Sequence, residues 1–372
     1  MVEPAPHLRL RSRTRIRPPA GGYALTAGNG AAGRGEGVCP SLLHRLGLGL
    51  SRWLLHALVL ALPLAAGARE GTDLVPVTLA LQWKPQSQFA GYYLARDHGY
   101  YREAGLDVTF VHANTDRGSL MILTAGEAQL ATAALTDALL LAPRLVQIAQ
   151  LVRRDSNLII GWKDMGILRV EDLDGKPVSY WQGVSSIFEA FFTLHEIRPI
   201  PIPQYYSINL FLERGVAACA AKEYNDLHRL FQAGIDLDQV SVFKIRDYGL
   251  GFPEDGLYAE AGWAGRHPEL LAPLRQATLK GWRYAQAHPE EAIAVVMAEA
   301  RQARVPTNLP HEQWMLRHLL ESIFIPGEDP AVAGSLEVTA FQEAAATLQA
   351  AGLLREAPDV ARFAPLEDRT RD

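Results

Sequence analysis

A tryptophan just past an apolar run, with a proline two residues on, can be turned out of a core and toward a cleft. Trp83 stands so, after Val77–Gln82 and before Pro85. A planar heterocycle stacked on an indole gains about 0.5–1.5 kcal/mol beyond the area it buries; the alternative place for such a ring is a core or a lid. The polar cluster Glu223-Tyr224-Asn225-Asp226 follows the apolar stretch Ala217–Ala221, where an α/β sheet presents the carboxyl ends of its strands to ligand. A Glu223 carboxylate could accept two N–H bonds, at about 1.5–3 kcal/mol each for hydrogen bonds to a charged group. Asn225 and Asp226 can equally cap a following helix. Asp255 can bind ligand or fix a chain crossing. Tyr92 and Tyr93, as neighbours on a helix, point about 100° apart, so at most one faces a cleft. Helix starts near Ala90, at Asp137 after Thr136, and near Ser185 would offer unpaired N–H groups to an anion.

Covalent chemistry is poorly provided for. Gly183-Val184-Ser185-Ser186-Ile187 lacks the second glycine of a nucleophile elbow, and the chain has neither H-E-x-x-H nor paired-cysteine spacing. Lys84 is the one candidate imine former near the cleft, with a solvated or anion-attracting lysine as the alternative. No metal and no cofactor is called for. Of the two cysteines, Cys39 lies in the leader and Cys219 in an Ala-rich segment that suits a small buried residue.

The 372 residues, 48% hydrophobic and 21% charged, can bury a sizeable core, and a net charge of -5 with no basic stripe excludes a general nucleic-acid binder. The first segment differs in kind. Arg9, Arg11, Arg13, Arg15 and Arg17 precede a Gly/Ala-rich stretch without apolar periodicity. Arg45, Arg52, the apolar run Trp53–Ala66 and Ala66-Gly67-Ala68 follow. That order of basic flank, short apolar run and A-x-A site is a secretory signal with cleavage after Ala68, so the mature protein is expected in the periplasm. An uncleaved anchor is the alternative, though the run is short for a bilayer and His56 and Pro63 interrupt it. The long leader also fits a translation start downstream of Met1.

From Val75 onward, apolar runs alternate with amphipathic segments, the pattern of βα units around a mostly parallel sheet. Strands are expected at Val77–Gln82, Asp107–His112, Leu130–Ala134 and Val146–Val152, and, beyond Trp162, at Pro177–Trp181, Ala217–Ala221 and Val240–Arg246. Gly256–Ala261 should return to the first sheet, followed by the long helices Pro268–His288, Glu290–Arg301, His311–Phe324 and Leu336–Ala351. The reading is an α/β fold of two lobes: residues 75–161 with 256–330, and residues 162–255. Residues 1–68 form the leader and residues 331–372 a C-terminal helix and tail. Crossings near Gly161–Asp164 and Tyr248–Asp255 would form a hinge, with the ligand cleft between the lobes.

The stretch from Leu81-Gln82-Trp83-Lys84-Pro85 through Gln88-Phe89-Ala90-Gly91-Tyr92-Tyr93, with Gly99-Tyr100-Tyr101 and Gly105-Leu106-Asp107-Val108, resembles the family that groups fungal thiamine-pyrimidine synthases with bacterial pyrimidine- and alkanesulfonate-binding proteins. Gly126-Glu127-Ala128-Gln129, Asp172-Leu173-Asp174-Gly175-Lys176, Glu223-Tyr224-Asn225, Gly281-Trp282-Arg283-Tyr284-Ala285 and His288-Pro289-Glu290-Glu291-Ala292 extend it to about Ala300. The resemblance implies a type II periplasmic-binding fold and a monomer that serves a membrane permease of the ATP-binding-cassette type. It implies a pyrimidine-like ligand for thiamine metabolism, with Trp83, Tyr92, Thr136, Glu223, Tyr224, Asn225 and Asp255 as its ligand residues. Fungal members make the pyrimidine from pyridoxal phosphate on a lysine and from their own histidine, with cysteines near iron. Where they carry that lysine and histidine this chain reads Ala133-Ala134-Leu135-Thr136-Asp137-Ala138, and where the cysteines stand it reads Tyr248-Gly249-Leu250-Gly251-Phe252-Pro253. A synthase-like enzyme and a ligand sensor that docks on a separate receptor are the alternatives to an importer component. An acidic Glu223 in the cleft favours a pyrimidine over a sulfonate.

Overall fold

The computed structural model describes residues 74–181 and 185–367; the leader, with the signal and its cleavage site, lies outside them. The strands are β1 (Val75–Leu81), β2 (Leu106–His112), β3 (Leu130–Ala134), β4 (Leu145–Gln150), β5 (Asn157–Trp162), β6 (Pro177–Tyr180), β7 (Ile200–Pro203), β8 (Ala218–Lys222), β9 (Val240–Lys244) and β10 (Asp255–Glu260). The helices that matter to the site are α1 (Ala90–Asp97), α2 (Ser119–Thr124), α3 (Leu135–Leu139), α4 (Ser186–Leu194), α5 (Asp226–Gln232), α6 (Pro268–Ala287), α7 (Pro289–Gln302), α8 (Leu309–Ile323) and α9 (Val338–Ala350).

Two five-stranded sheets result, in the orders β2-β1-β3-β10-β4 and β7-β6-β8-β5-β9. In the first, β1 runs parallel to β2 and β3, while β10 enters antiparallel between β3 and β4, with Leu257 opposite Thr132 and Ala149. In the second, β6 is parallel to β7 and β8, and β5 is antiparallel to β8 and β9. The central strands β3, β5 and β8 are covered on both faces, which explains their continuous apolar sequences.

Two sequence expectations need correction. Asn157–Trp162 is buried along its whole length in the second sheet, so the chain leaves the first lobe at residues 151–156 rather than 161–164. A run apolar on both faces carries no alternation to show which sheet owns it. The strand β7 was also missed. Its Pro201 and Pro203 cannot donate to a ladder, and they are tolerated because β7 is an edge.

The two crossings pair with each other. Leu151 N and Val152 N donate to Asp255 O at 3.0 Å, and Glu254 N donates to Val152 O at 2.8 Å. At their centre the Glu254 carboxylate, 1% exposed, accepts from Ser156 N (2.5 Å), Ser156 Oγ (2.8 Å), Asn157 Nδ2 (3.1 Å) and Lys222 Nζ (2.7 Å). α9 packs on both α3 and α4, one from each lobe, through Phe341, Ala344, Ala345 and Leu348.

α1 and α6 approach so closely that only glycine fits their seam. A Cβ on Gly281 would lie 2.1 Å from Gly91 O, and one on Gly91 would lie 2.3 Å from the Trp282 ring. Trp282 is itself fully buried and cannot retreat. Gly91→Ala is therefore expected to cost about 1–3 kcal/mol of overpacking, read as a lower urea midpoint; an unchanged midpoint would mean that the seam can open.

Candidate functional site

Strand direction sets the site. The carboxyl ends of β1, β3, β6 and β8 and the amino end of β10 converge between the lobes on a cavity of about 670 Å³. The first lobe gives it Gln82, Trp83, Gln86, Gln88, Asp137 and Asp255; the second gives Trp181, Ser185, Gln204, Lys222, Tyr224 and Asn225.

One wall is aromatic. The half-buried Trp83 meets Trp181 edge-on at 6.4 Å between ring centroids and Tyr206 at 5.4 Å, so the two lobes touch at this rim. The Trp83 loop is held from behind, since His112 Nδ1 donates to Trp83 O at 2.6 Å and His112 Nε2 meets Tyr93 Oη at 3.1 Å. Burial depresses the His112 pKa, which suits a neutral ring in this place.

A second part of the lining is a chain of amides ending on a carboxylate. Gln82 Nε2 donates to Asp255 Oδ1 (2.6 Å), Gln88 Nε2 donates to Asp255 Oδ2 (2.5 Å), and Gln86 Nε2 donates to Gln88 Oε1 (2.6 Å). An ionised carboxylate only accepts, so each amide must turn its NH₂ toward Asp255 or along the chain. The ends not bonded within the chain are then the oxygens of Gln82 and Gln86. Gln82 Oε1 and Gln86 Oε1 are buried without a partner, and so is the Trp181 Nε1 donor across the cavity. Native structures rarely leave such groups unpaired, so each marks a place where ligand or water belongs. Burial, then the nearby Glu254 charge, raises Asp255 to about 6, against the Gln88 and Gln82 hydrogen bonds that favour its ionised form.

Asp137 joins the lobes at the cavity edge. Its Oδ1 accepts from Ser186 N (2.8 Å) and Ser186 Oγ (2.6 Å) at the start of α4. Lys222 is the one cation among the described lining residues, and it is engaged by Glu254 and by Asn157 Oδ1 at 2.8 Å. Among the described lining residues an anion would meet Asp116, Asp137 and Asp255 and no cation besides the paired Lys222.

Of the seven residues expected to bind ligand, the structure brings Trp83, Tyr224, Asn225 and Asp255 to the cavity. The other three stand elsewhere. Glu223 turns to Arg246 Nη1 (2.9 Å) and Lys244 Nζ (3.3 Å). Burial alone would raise its pKa, but the Arg246 bond and charge and those of Lys244 outweigh burial and hold it low. The strand ends at Lys222 and the chain turns there, Asn225 N donating to Lys222 O at 3.1 Å, so that Lys222, Tyr224 and Asn225 reach the lining and Glu223 does not. Tyr92 lies in the α1 core edge-on to Trp282, and Tyr93 is buried with it, so neither tyrosine lines the cleft. Thr136 is enclosed at 3% exposure while its neighbour Asp137 reaches the lining. Lys84 is spent on Tyr206 O at 3.2 Å, outside the lining. The residues missed, Gln82, Gln86, Gln88, Asp137 and Trp181, carried a signal only in part, as polar side chains clustered just past the ends of β1, β3 and β6.

The family described as NMT1/THI5 like matches residues 86–292, more than half of the chain. A formylaminopyrimidine-binding protein of Halalkalibacterium halodurans is 25% identical over 285 residues, 73% of this chain and 85% of that protein. The solved structure of a Bordetella bronchiseptica protein superposes with a TM-score of 0.60 at 16% identity, covering 79% of this chain and 94% of that one. The periplasmic aliphatic sulphonate binding protein of Escherichia coli superposes at 0.53 and 15% identity, covering 78% and 91%. The two-lobed architecture is thus the type II periplasmic-binding-protein fold, and the chain belongs to the NMT1/THI5-like family.

Proposed function

We propose that this chain is the exported, periplasmic substrate-binding component of an ATP-binding-cassette importer, and that its lobes clamp a small neutral or cationic heterocycle of the aminopyrimidine type, a thiamine precursor. The observation that carries this reading is the pair of buried, unpartnered acceptors, Gln82 Oε1 and Gln86 Oε1, on lining residues joined to Asp255 through the amide chain, in a cavity that Trp83 and Trp181 also line. An amino group and a ring N–H supply the donors, the flat ring lies against Trp83, and a ring nitrogen or formyl oxygen accepts from Trp181 Nε1. The relative named for formylaminopyrimidine supports the same class. The ligand is held and passed to a membrane permease without bond making or breaking. With Asp137 and Asp255 in the lining and Lys222 already paired, a sulfonate gains no ion pair and meets like charge.

Trp83→Ala is expected to weaken formylaminopyrimidine binding about tenfold, in line with a stacking contribution of about 1 kcal/mol plus lost apolar cover. Because Trp83 is only half-buried, the melting temperature of the ligand-free variant should stay within about 2 °C of the parent. A large loss of stability with unchanged affinity would place the ring's role in packing. A thermal-shift panel of pyrimidines, alkanesulfonates and flavins tests the class directly. Saturating ligand at about a hundred times Kd adds about 2.7 kcal/mol, and only the amino-heterocycles should show that rise.

A further inference from the structure

Two histidines from opposite lobes meet beside the cavity. His228 on α5 and His311 near the start of α8 bring their Nδ1 atoms to 3.0 Å, with the rings stacked at 15°. Trp314 lies against His228 at 4.8 Å and 13°. The surrounding bonds fix where the protons sit. Arg229 Nε can only donate, and it points at Asn225 Oδ1 at 3.1 Å, so that atom of Asn225 is its oxygen. His311 Nε2, 3.0 Å from the same oxygen, must then donate as well. A neutral His311 is left with a lone pair on Nδ1, and His228 Nδ1 donates to it. His228 can take a second proton on Nε2 and keep the bond. His311 can take a proton only if His228 switches to its Nε2–H tautomer and accepts on Nδ1, and protonating both rings sets two N–H donors against each other.

We propose that His228 and His311 form a proton-sensitive latch between the lobes, which positions Asn225 in the cavity wall and lets go in acid. The idea rests on the reading of the interlobe cavity as the ligand site only for its effect on affinity. The charged groups acting on His311 are Arg229 and His228 from α5 and Lys84 from the loop after β1, all of which oppose its protonation. On its own helix, Glu312 is occupied by Ser87 N, Ser87 Oγ and Thr307 Oγ1, and Arg317 and His318 act on His228. The 3-10 turn Ser87–Phe89 carries no titratable side chain, and the buried side chains of α7 behind α8 are Ala292, Ile293, Val296 and Ala300. Burial first, and these cations next, press His311 down to about 3 in the closed form.

An opened His311 returns toward its ordinary value of about 6.5. Closing below that pH must expel a proton, so the closed-to-open ratio falls about tenfold between pH 7.5 and 5.5. Asp155 and Asp255, raised to about 7 and about 6 mainly by burial, respond in the opposite sense. The informative quantity is therefore the difference between parent and latch variants.

The test is a pulsed spin-label distance measurement on the ligand-free protein, with labels on cysteines placed at the exposed positions Met121 in the first lobe and Ile200 in the second. Native Cys219 is buried. In the parent, the ratio of the short-distance to the long-distance population should fall about tenfold from pH 7.5 to 5.5 relative to His311→Gln and to His228→Leu, which sits partly exposed on the other lobe and does not disturb the α8 core. The same pH response in parent and both variants would overturn the latch. Formylaminopyrimidine affinity, measured alongside, separates the two ideas: a pH response confined to the parent in a protein that does not bind this probe supports the latch and removes the ligand assignment.

Discussion

Lys222→Met should lower the thermal unfolding midpoint by about 6–20 °C at pH 7.5. The ammonium donates to Glu254 at 2.7 Å and stands close enough to Asp155 and Asp255 for all three carboxylates to act on it. Burial works against a charged Lys222, and Glu254, Asp255 and Asp155 together outweigh it, so its pKa is raised. Removing the cation leaves buried carboxylates uncompensated, a loss of about 3–5 kcal/mol, and each kcal/mol moves the midpoint of a domain this size by about 2–4 °C. The pH dependence identifies the cause. Asp155 and Asp255 have folded-state pKa values raised to about 7 and about 6, so the folded form binds protons more tightly than the unfolded chain. Stability through them is present in acid and falls as pH rises from about 4 to about 7. Without Lys222 both rise further, so the deficit should shrink between pH 7.5 and pH 5. A deficit equal at both values would mean that only packing was lost. Adding Glu254→Gln to Lys222→Met should cost less than the sum of the two single changes.

The second large effect falls on binding. Asp255→Asn should weaken formylaminopyrimidine binding about 30–100-fold while leaving the ligand-free protein as stable as before or slightly more so. The Asp255 carboxylate anchors the amide orientations by accepting from both Gln82 and Gln88. An asparagine offers one acceptor and one donor, so one glutamine must flip. Either Gln82 flips alone, or Gln88 flips and carries Gln86 with it, and in both cases an unpartnered oxygen is replaced by an NH₂ group. Losing hydrogen bonds to a charged centre costs about 1.5–3 kcal/mol, which gives the expected change in Kd. Stability does not suffer, because an enclosed carboxyl with a raised pKa carries a desolvation penalty that the amide avoids. Calorimetry on the parent and variant reads both parts. Unchanged affinity would remove Asp255 and its glutamines from ligand recognition.

Much of this architecture can be read from periodicity and punctuation. β1, β3 and β8 are apolar runs bounded by polar residues, and the return of β10 to the first sheet follows from the shortage of strands beyond Pro253. Where the reading slipped, the physics was nonlocal. β5 is apolar on both faces, and its ownership by the second sheet is decided by pairing with β8 and β9. In the site, Trp83 and Asp255 were visible as residue types at strand ends. Glu223 turns away because the chain bends just past Lys222, a turn that its residue types do not announce, and the cations that claim it, Lys244 and Arg246, come from β9 and the turn after it. Gln82, Gln86 and Gln88 look like ordinary loop polarity until Asp255, more than 160 residues away, orders their amides. The histidine latch is likewise invisible in one dimension, since α5 and α8 are separated by the whole return to the first lobe.

The central claim is that two lobes enclose a donor-bearing heterocycle against the Gln82, Gln86 and Asp255 acceptors and leave it chemically intact. A calorimetric titration with formylaminopyrimidine, run beside one with an alkanesulfonate and followed by mass analysis of the ligand recovered from the complex, meets that claim head on. The account predicts one site, a Kd in the micromolar range or tighter for the pyrimidine, at least a hundredfold weaker sulfonate binding, and a recovered ligand of unchanged mass. Tighter binding of the sulfonate, or a recovered pyrimidine of altered mass, would contradict it.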